Sequence, residues 1–147
     1  MKLFLDCEFT RLSPAAKLIS LALVAEDGSE FYAELPDSWH MEDCSDFVLE
    51  IVLPKLWGGS YAMPIIDARA ALLDFLVTFE EEVEIITDAP DYDWPLFCEL
   101  AYDEGRWPRN VRSQPTDATT LTPFNDGQEL PHHALLDARI IAAMFTG

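Results

Sequence analysis

Basic side chains are scarce in this chain. Nine Lys and Arg stand against twenty-seven Asp and Glu, a formal net charge of −18. Such a surface repels nucleic acid at long range, which argues against a non-specific duplex binder. A polyanionic ligand would have to be short, or be held locally by metal and a few bases. Long hydrophobic runs are also missing, and none approaches the roughly 20 residues of a membrane span. The apolar run at the N-terminus is broken by Asp6 and Glu8 too early for a signal peptide. Cysteine is limited to Cys7, Cys44 and Cys98, too widely spaced for a disulfide framework or a zinc site. They read as reduced thiols in a cytoplasmic protein. No repeat, low-complexity tract or Gly/Ser linker divides the 147 residues, so one domain is expected over 1–147.

Half of the composition is apolar, enough for a proper core. Residues 2–7 read as a strand, and 17–26 and 29–35 as a hairpin turned at Asp27-Gly28. A helix is expected over 43–56, with Phe47, Ile51 and Leu53 inward, and another over 64–79 through Ile66, Ala70, Leu73, Leu76 and Val77. A short strand at 83–87 precedes a helix over 92–104, capped by Asp91, with Pro95 in its first turn and Gly105 closing it. A loop spans 106–115, a brief strand falls near 116–121, and 133–145 forms a last amphipathic helix. Strands first, then helix and strand alternating, imply an α/β fold: a mixed sheet, with an antiparallel meander and parallel strands, flanked by helices.

Acids collect where these elements end. In LFLDCEF, Asp6 and Glu8 are two apart and share one face of the first strand. Burying them costs several kcal/mol unless something cancels the charge. Asp88, Asp91 and Asp93 cluster where the strand VEIIT gives way to helix, and PHHALLDAR brings two histidines and Asp137 to the last helix. Strand ends and helix starts of this kind gather active-site groups in open α/β sheets. Carboxylates suit hard divalent cations such as Mg²⁺ and Mn²⁺. Two such ions about 3.5–4 Å apart can flank a scissile phosphate, with a histidine taking a proton from the attacking water.

The order D-x-E at Asp6–Glu8, then Tyr92-Asp93-Trp94-Pro95-Leu96-Phe97, then H-x-A-x-x-D-A from His132 to Ala138, resembles the DEDDh 3′–5′ exonucleases. These are ribonuclease H-like proteins, and the chain looks most like their small single-domain bacterial and phage exoribonucleases. The resemblance implies Asp6, Glu8, Asp93 and Asp137 as metal carboxylates for two Mg²⁺ or Mn²⁺ ions, with His132 as general base. Asp6 would bridge both ions, Glu8 and Asp137 would complete one, and Asp93 would serve the other. Cys7 takes the variable middle position and should face away. Ala89 stands where the family often has Asn.

Alternatives remain beside these assignments. Asp88 reads as a second-layer group and Asp91 as a helix cap. For the base, an i, i+4 relation to Asp137 favours His133 on a continuous helix. His132 fits if Pro131-His132 is extended loop. Phe9 and Thr10 follow the first motif, where the resemblance places a terminal nucleotide; Phe9 suits stacking on a base or the core, and Thr10 suits bonding to sugar or phosphate. Arg106, Trp107, Arg109 and Arg112 crowd one loop, either as substrate contacts or as charge balance. The implied activity is hydrolysis from the 3′ end of RNA or short oligoribonucleotides to nucleoside 5′-monophosphates. A single-stranded DNA exonuclease and a non-catalytic partner-binding module are the rival readings. Single-stranded nucleic acid is the expected partner, no membrane is involved, and a homodimer is implied by the resemblance alone.

Overall fold

The apolar run after Lys2 becomes β1 (Lys2–Phe9), in a computed structural model that describes residues 1–119 and 130–145. β2 (Leu18–Ala25) and β3 (Glu30–Glu34) follow as an antiparallel meander on its one side. Gly28 turns between them at a φ of +94°, a backbone state that glycine enters without a Cβ penalty. On the other side of β1, β4 (Glu84–Thr87) and β5 (Thr116–Asp117) run parallel, giving the order β3-β2-β1-β4-β5. α1 (Ile65–Val77) and α2 (Pro90–Ala101) cover one face, and α3 (Ala134–Met144) covers the other. The mixed, helix-flanked sheet expected from the sequence is therefore the observed architecture.

Alternation along β1 sorts its side chains between two layers. Leu3, Leu5 and Cys7 join the main core with Leu72 and Leu76 of α1 and Leu96 and Phe97 of α2. Phe4 points the other way, to Ile86 and Ile141 of α3, and Asp6 and Glu8 continue that face toward the strand's end. The Cys7 thiol thus lies on the opposite side from the two acids. A register shift between Glu8 and Phe9 ends the regular pairing with β2. Such bulges re-aim side chains at strand ends.

Several elements differ from expectation. The helix anticipated over 43–56 is instead a chain of short turns: a tight one at Met41–Asp43, a wide π turn at Val48–Val52, and a further tight one at Leu53–Lys55 around Pro54. Proline cannot carry a regular helix through its own position. Val48 and Val52 are the buried residues, packed on Ile19, whereas Phe47 is exposed. In α1 the inward stripe is Ala68, Leu72 and Leu76, and Ile66 and Val77 are each 73% exposed.

α2 starts earlier and stops sooner than expected. Ala89 occupies its N-cap and Pro90 its first position, where a missing N–H is harmless, so Asp91 lies inside the first turn rather than capping it. Pro95 is consequently interior. Gly105, at a φ of +77°, shapes the reversal between Asp103 and Arg106 instead of closing the helix. The expected strand at 116–121 is limited to Thr116–Asp117 among the described residues; 120 and 121 lie outside them.

Candidate active site

The C-terminal ends of β1 and β4 and the N-terminal ends of α2 and α3 meet at one point of the sheet. Asp6 and Glu8 come from β1, Asp88 from the turn after β4, Asp93 from α2, and Asp137 from α3. They form two triads, Asp6–Asp88–Asp93 and Asp6–Glu8–Asp137, in each of which one oxygen per residue lies within 4.8 Å of the others. Asp6 belongs to both. Neither histidine joins either triad among the described residues.

The charges are left largely to one another. Asp6 Oδ2 and Asp137 Oδ1 are buried with no hydrogen-bond partner among the described residues. Burial first, then the charges of Asp93, Glu8, Asp137 and Asp88, hold the Asp6 carboxyl well above its ordinary range. Glu8 is pushed up to about 8, by burial and then by Asp137, with which it shares a hydrogen bond. Asp137 rises to about 7, again through burial, although the bond to Glu8 and the backbone of His133 and His132 pull it down. Asp93, only 1% exposed, rises to about 8 by burial despite the Thr87 hydroxyl, which donates to its Oδ2 at 2.7 Å. Orphaned carboxylate oxygens facing one another fit a hard divalent cation with an all-oxygen shell. Without one, the cluster must hold protons that free carboxylic acids release.

The two histidines diverge. His133 is the N-cap residue of α3, in extended backbone, and only 3% exposed. Its ring is held by Trp57 at 4.1 Å and Tyr32 at 4.8 Å, and burial lowers its pKa. His132 precedes the helix, but its backbone is left-handed at a φ of +55° rather than extended. Its ring meets Phe47 edge-on at 5.0 Å.

The expected substrate contacts scatter. Phe9 stacks on Tyr92 at 5.3 Å and also packs on the core. A groove of about 870 Å³, lined by Lys17, Arg69 and Tyr92 among others, reaches Tyr92 but neither Phe9 nor any of the four motif carboxylates. Thr10 is 1% exposed, and its hydroxyl accepts the Lys17 amide at 2.9 Å. Trp107 packs with Trp94, Phe97 and Tyr102 and donates to the Val111 carbonyl, which makes it a core-edge residue. Arg106 and Arg109 are exposed, with the Arg106 backbone bonded to that of Asp103. Arg112 pairs with Glu82 at 2.6 Å and reaches Glu84 at the start of β4. Glu84 lies beside Lys2, four residues before Asp6, or roughly 13 Å along the strand. That separation takes Arg112 away from the carboxylates.

Three residues near the site carried no sequence motif. Thr87 anchors Asp93 and also accepts the Ala89 amide; its signal was a polar side chain ending an apolar strand. Lys55 acts on Glu8 electrostatically and donates to the Pro131 carbonyl at 2.9 Å. Glu34 is buried at the end of β3, where it accepts the amides of Trp57 and Gly58 and the hydroxyl of Tyr32. Lys55 falls within the helix expected over 43–56, and Trp57 lies just beyond it.

No family model matches the chain. Proteins from two strains of Mycobacterium tuberculosis, each named 3′–5′ exoribonuclease, are 28% identical to it over 153 aligned positions, covering 95% of this chain and 88% of theirs. Among solved structures, cell-death related nuclease 4 aligns with a TM-score of 0.59 and 13% identity over 97% of this chain. The chain spans 61% of that protein's length. The likeness in shape shows the fold: a ribonuclease H-like mixed sheet between helical layers.

Proposed function

We propose that residues 1–147 form a single-domain 3′–5′ exonuclease of the DEDDh type, acting on the 3′ end of RNA or short oligoribonucleotides and releasing nucleoside 5′-monophosphates. The observation that carries this reading is the pair of carboxylate triads sharing Asp6 at the end of β1. The exoribonuclease name of the Mycobacterium tuberculosis relatives supports RNA as the substrate. The net charge of −18 favours short single strands, because distant phosphates would meet repulsion.

Asp6, Glu8 and Asp137 would hold one divalent cation, and Asp6 with Asp93, assisted by Asp88, a second. Bound there, Mg²⁺ or Mn²⁺ supplies Lewis-acid stabilisation of phosphoryl oxygens and lowers the pKa of water. Thr87 fixes the Asp93 carboxylate through its hydroxyl, which donates to Oδ2 and would leave the other oxygen for the cation. An imidazole nitrogen of His132 takes the proton of the attacking water. His133, enclosed by Trp57 and Tyr32, is the poorer base because its ring has little access to water. Phe9 and Tyr92 offer a stacked aromatic edge for the terminal base.

A 5′-end-labelled oligoribonucleotide incubated with Mn²⁺ or Mg²⁺ tests the proposal. Stepwise shortening from the 3′ end, abolished by chelator, is the expected result. Intact label in the presence of metal and folded protein overturns it. A single-stranded DNA arm of the same assay reads the sugar preference.

A further inference from the structure

The proposed reaction uses the Pro131-His132-His133 stretch through His132, yet all three residues are gripped from one direction. Lys55 Nζ donates to the Pro131 carbonyl at 2.9 Å. The Phe47 ring meets His132 at an interplanar angle of 87°. Trp57 lies over His133, with centroids 4.1 Å apart. These three come from one irregular segment, 47–57, whose π turn seats Val48 and Val52 on Ile19 of β2. Its far end is tied to the sheet by Glu34, which accepts the Trp57 amide at 2.8 Å and the Gly58 amide at 2.9 Å. π turns are rare and are frequent at functional sites.

His132 holds a left-handed backbone that side-chain-bearing residues seldom adopt. Such conformations persist only where the surroundings over-determine them. Both ring nitrogens of His133 are buried without a hydrogen-bond partner among the described residues, so aromatic contact is what fixes this ring. Without the grip, the stretch before α3 would relax and carry the neighbouring imidazole with it.

We infer that the 47–57 segment is a clamp that positions His132, with Lys55 and Trp57 as positioning residues for the reaction. The inference rests on the nuclease reading proposed above. A misplacement of about 1 Å in a reacting group can lower a rate by roughly 100-fold, so modest loosening is enough to be read.

Lys55 is exposed and Trp57 is 43% exposed, so substitutions at either leave the core intact. In the full chain, Trp57→Ala and Lys55→Met are expected to lower kcat by about tenfold or more while KM stays within about twofold. Lys55→Arg should restore most of the rate, and the rise in melting temperature on adding Mg²⁺ should persist in all three. The imidazole NMR signals of His132 in the metal-free proteins give a readout independent of turnover, and should shift in Trp57→Ala and Lys55→Met. Unchanged kcat with unchanged His132 signals would overturn the clamp. A loss confined to KM would also overturn it, in favour of direct substrate contact. An inert wild-type protein would sink the nuclease reading, and the NMR comparison would still decide the clamp.

Discussion

The two ends of β4 are both acidic, but they are treated in opposite ways. At its start, Arg112 pairs with Glu82 and approaches Glu84, and the N-terminal ammonium sits 2.6 Å from Glu81. At its finish, Asp88 and Asp93 converge with Asp6, Glu8 and Asp137, and the Lys55 charge acting on Glu8 only partly offsets the repulsion there. The first end is an ordinary surface that neutralises itself. The second is a buried concentration of like charge, which a fold retains only when something else supplies the missing positive charge. Acidity alone, therefore, does not mark the site; uncompensated acidity does.

The largest test of that contrast removes the shared carboxylate. Asp6→Asn is expected to lower exonuclease activity by at least about 100- to 1,000-fold. It should also remove most of the rise in melting temperature that Mg²⁺ or Mn²⁺ gives. Calorimetry with and without metal measures the second effect, and an undiminished rise would mean the ions bind elsewhere. His132→Ala should slow hydrolysis by about 10²- to 10⁴-fold while keeping the metal-induced stabilisation, which separates proton transfer from metal binding. A rate loss seen only with His133→Ala would reassign the base.

A pH series sharpens the comparison further. In the metal-free protein, Glu8 and Asp93 titrate near 8 instead of their ordinary range, so the folded form retains protons that the unfolded chain releases. What these two groups contribute to stability is thus full at acid pH and is lost as pH rises from their ordinary values of 3.8 and 4.5 to about 8. Divalent cations should flatten this decline, because bound metal replaces the protons. Melting curves at several pH values, with and without Mg²⁺, follow both trends; stability rising over that interval without metal would contradict the burial of these acids. The smallest effect belongs to the other end of β4. Arg112→Met should give a slight loss of melting temperature that salt erases, with the metal response unchanged.

Much of this architecture was legible in the sequence because β1 writes its two-residue period plainly. LFLDCEF shows the apolar alternation and the paired acids, and the strands at 2–7, 17–26, 29–35 and 83–87 appear within two residues of expectation. The gathering of Asp6, Glu8, Asp93 and Asp137 was implied by the resemblance that three ordered motifs carry, and the two triads bring these acids together. Less could be read where almost every position is apolar. In IIDARAALLDFLV several stripes satisfy a helical period, and only packing on the sheet selects Ala68, Leu72 and Leu76. The segment around Pro54 looked helical because its local pattern cannot show that Ile19, far off in the chain, receives Val48 and Val52. Arg112 stood open between substrate contact and charge balance for a similar reason. Its carboxylate partner Glu82 lies 30 residues away, and no local spacing announces such a pair.

Cys7 lies between Asp6 and Glu8 in sequence but belongs to the opposite layer, among the side chains beneath α1 and α2. The pleat therefore acts as a parity check on β1. One residue inserted after Leu5, with pairing to β2 and β4 otherwise kept, would drive both acids into the oily layer and turn the thiol outward in their place. A two-residue insertion would restore the facing but displace it along the strand. An exchange in this stretch alters one side chain, whereas a change in its count re-aims all that follow.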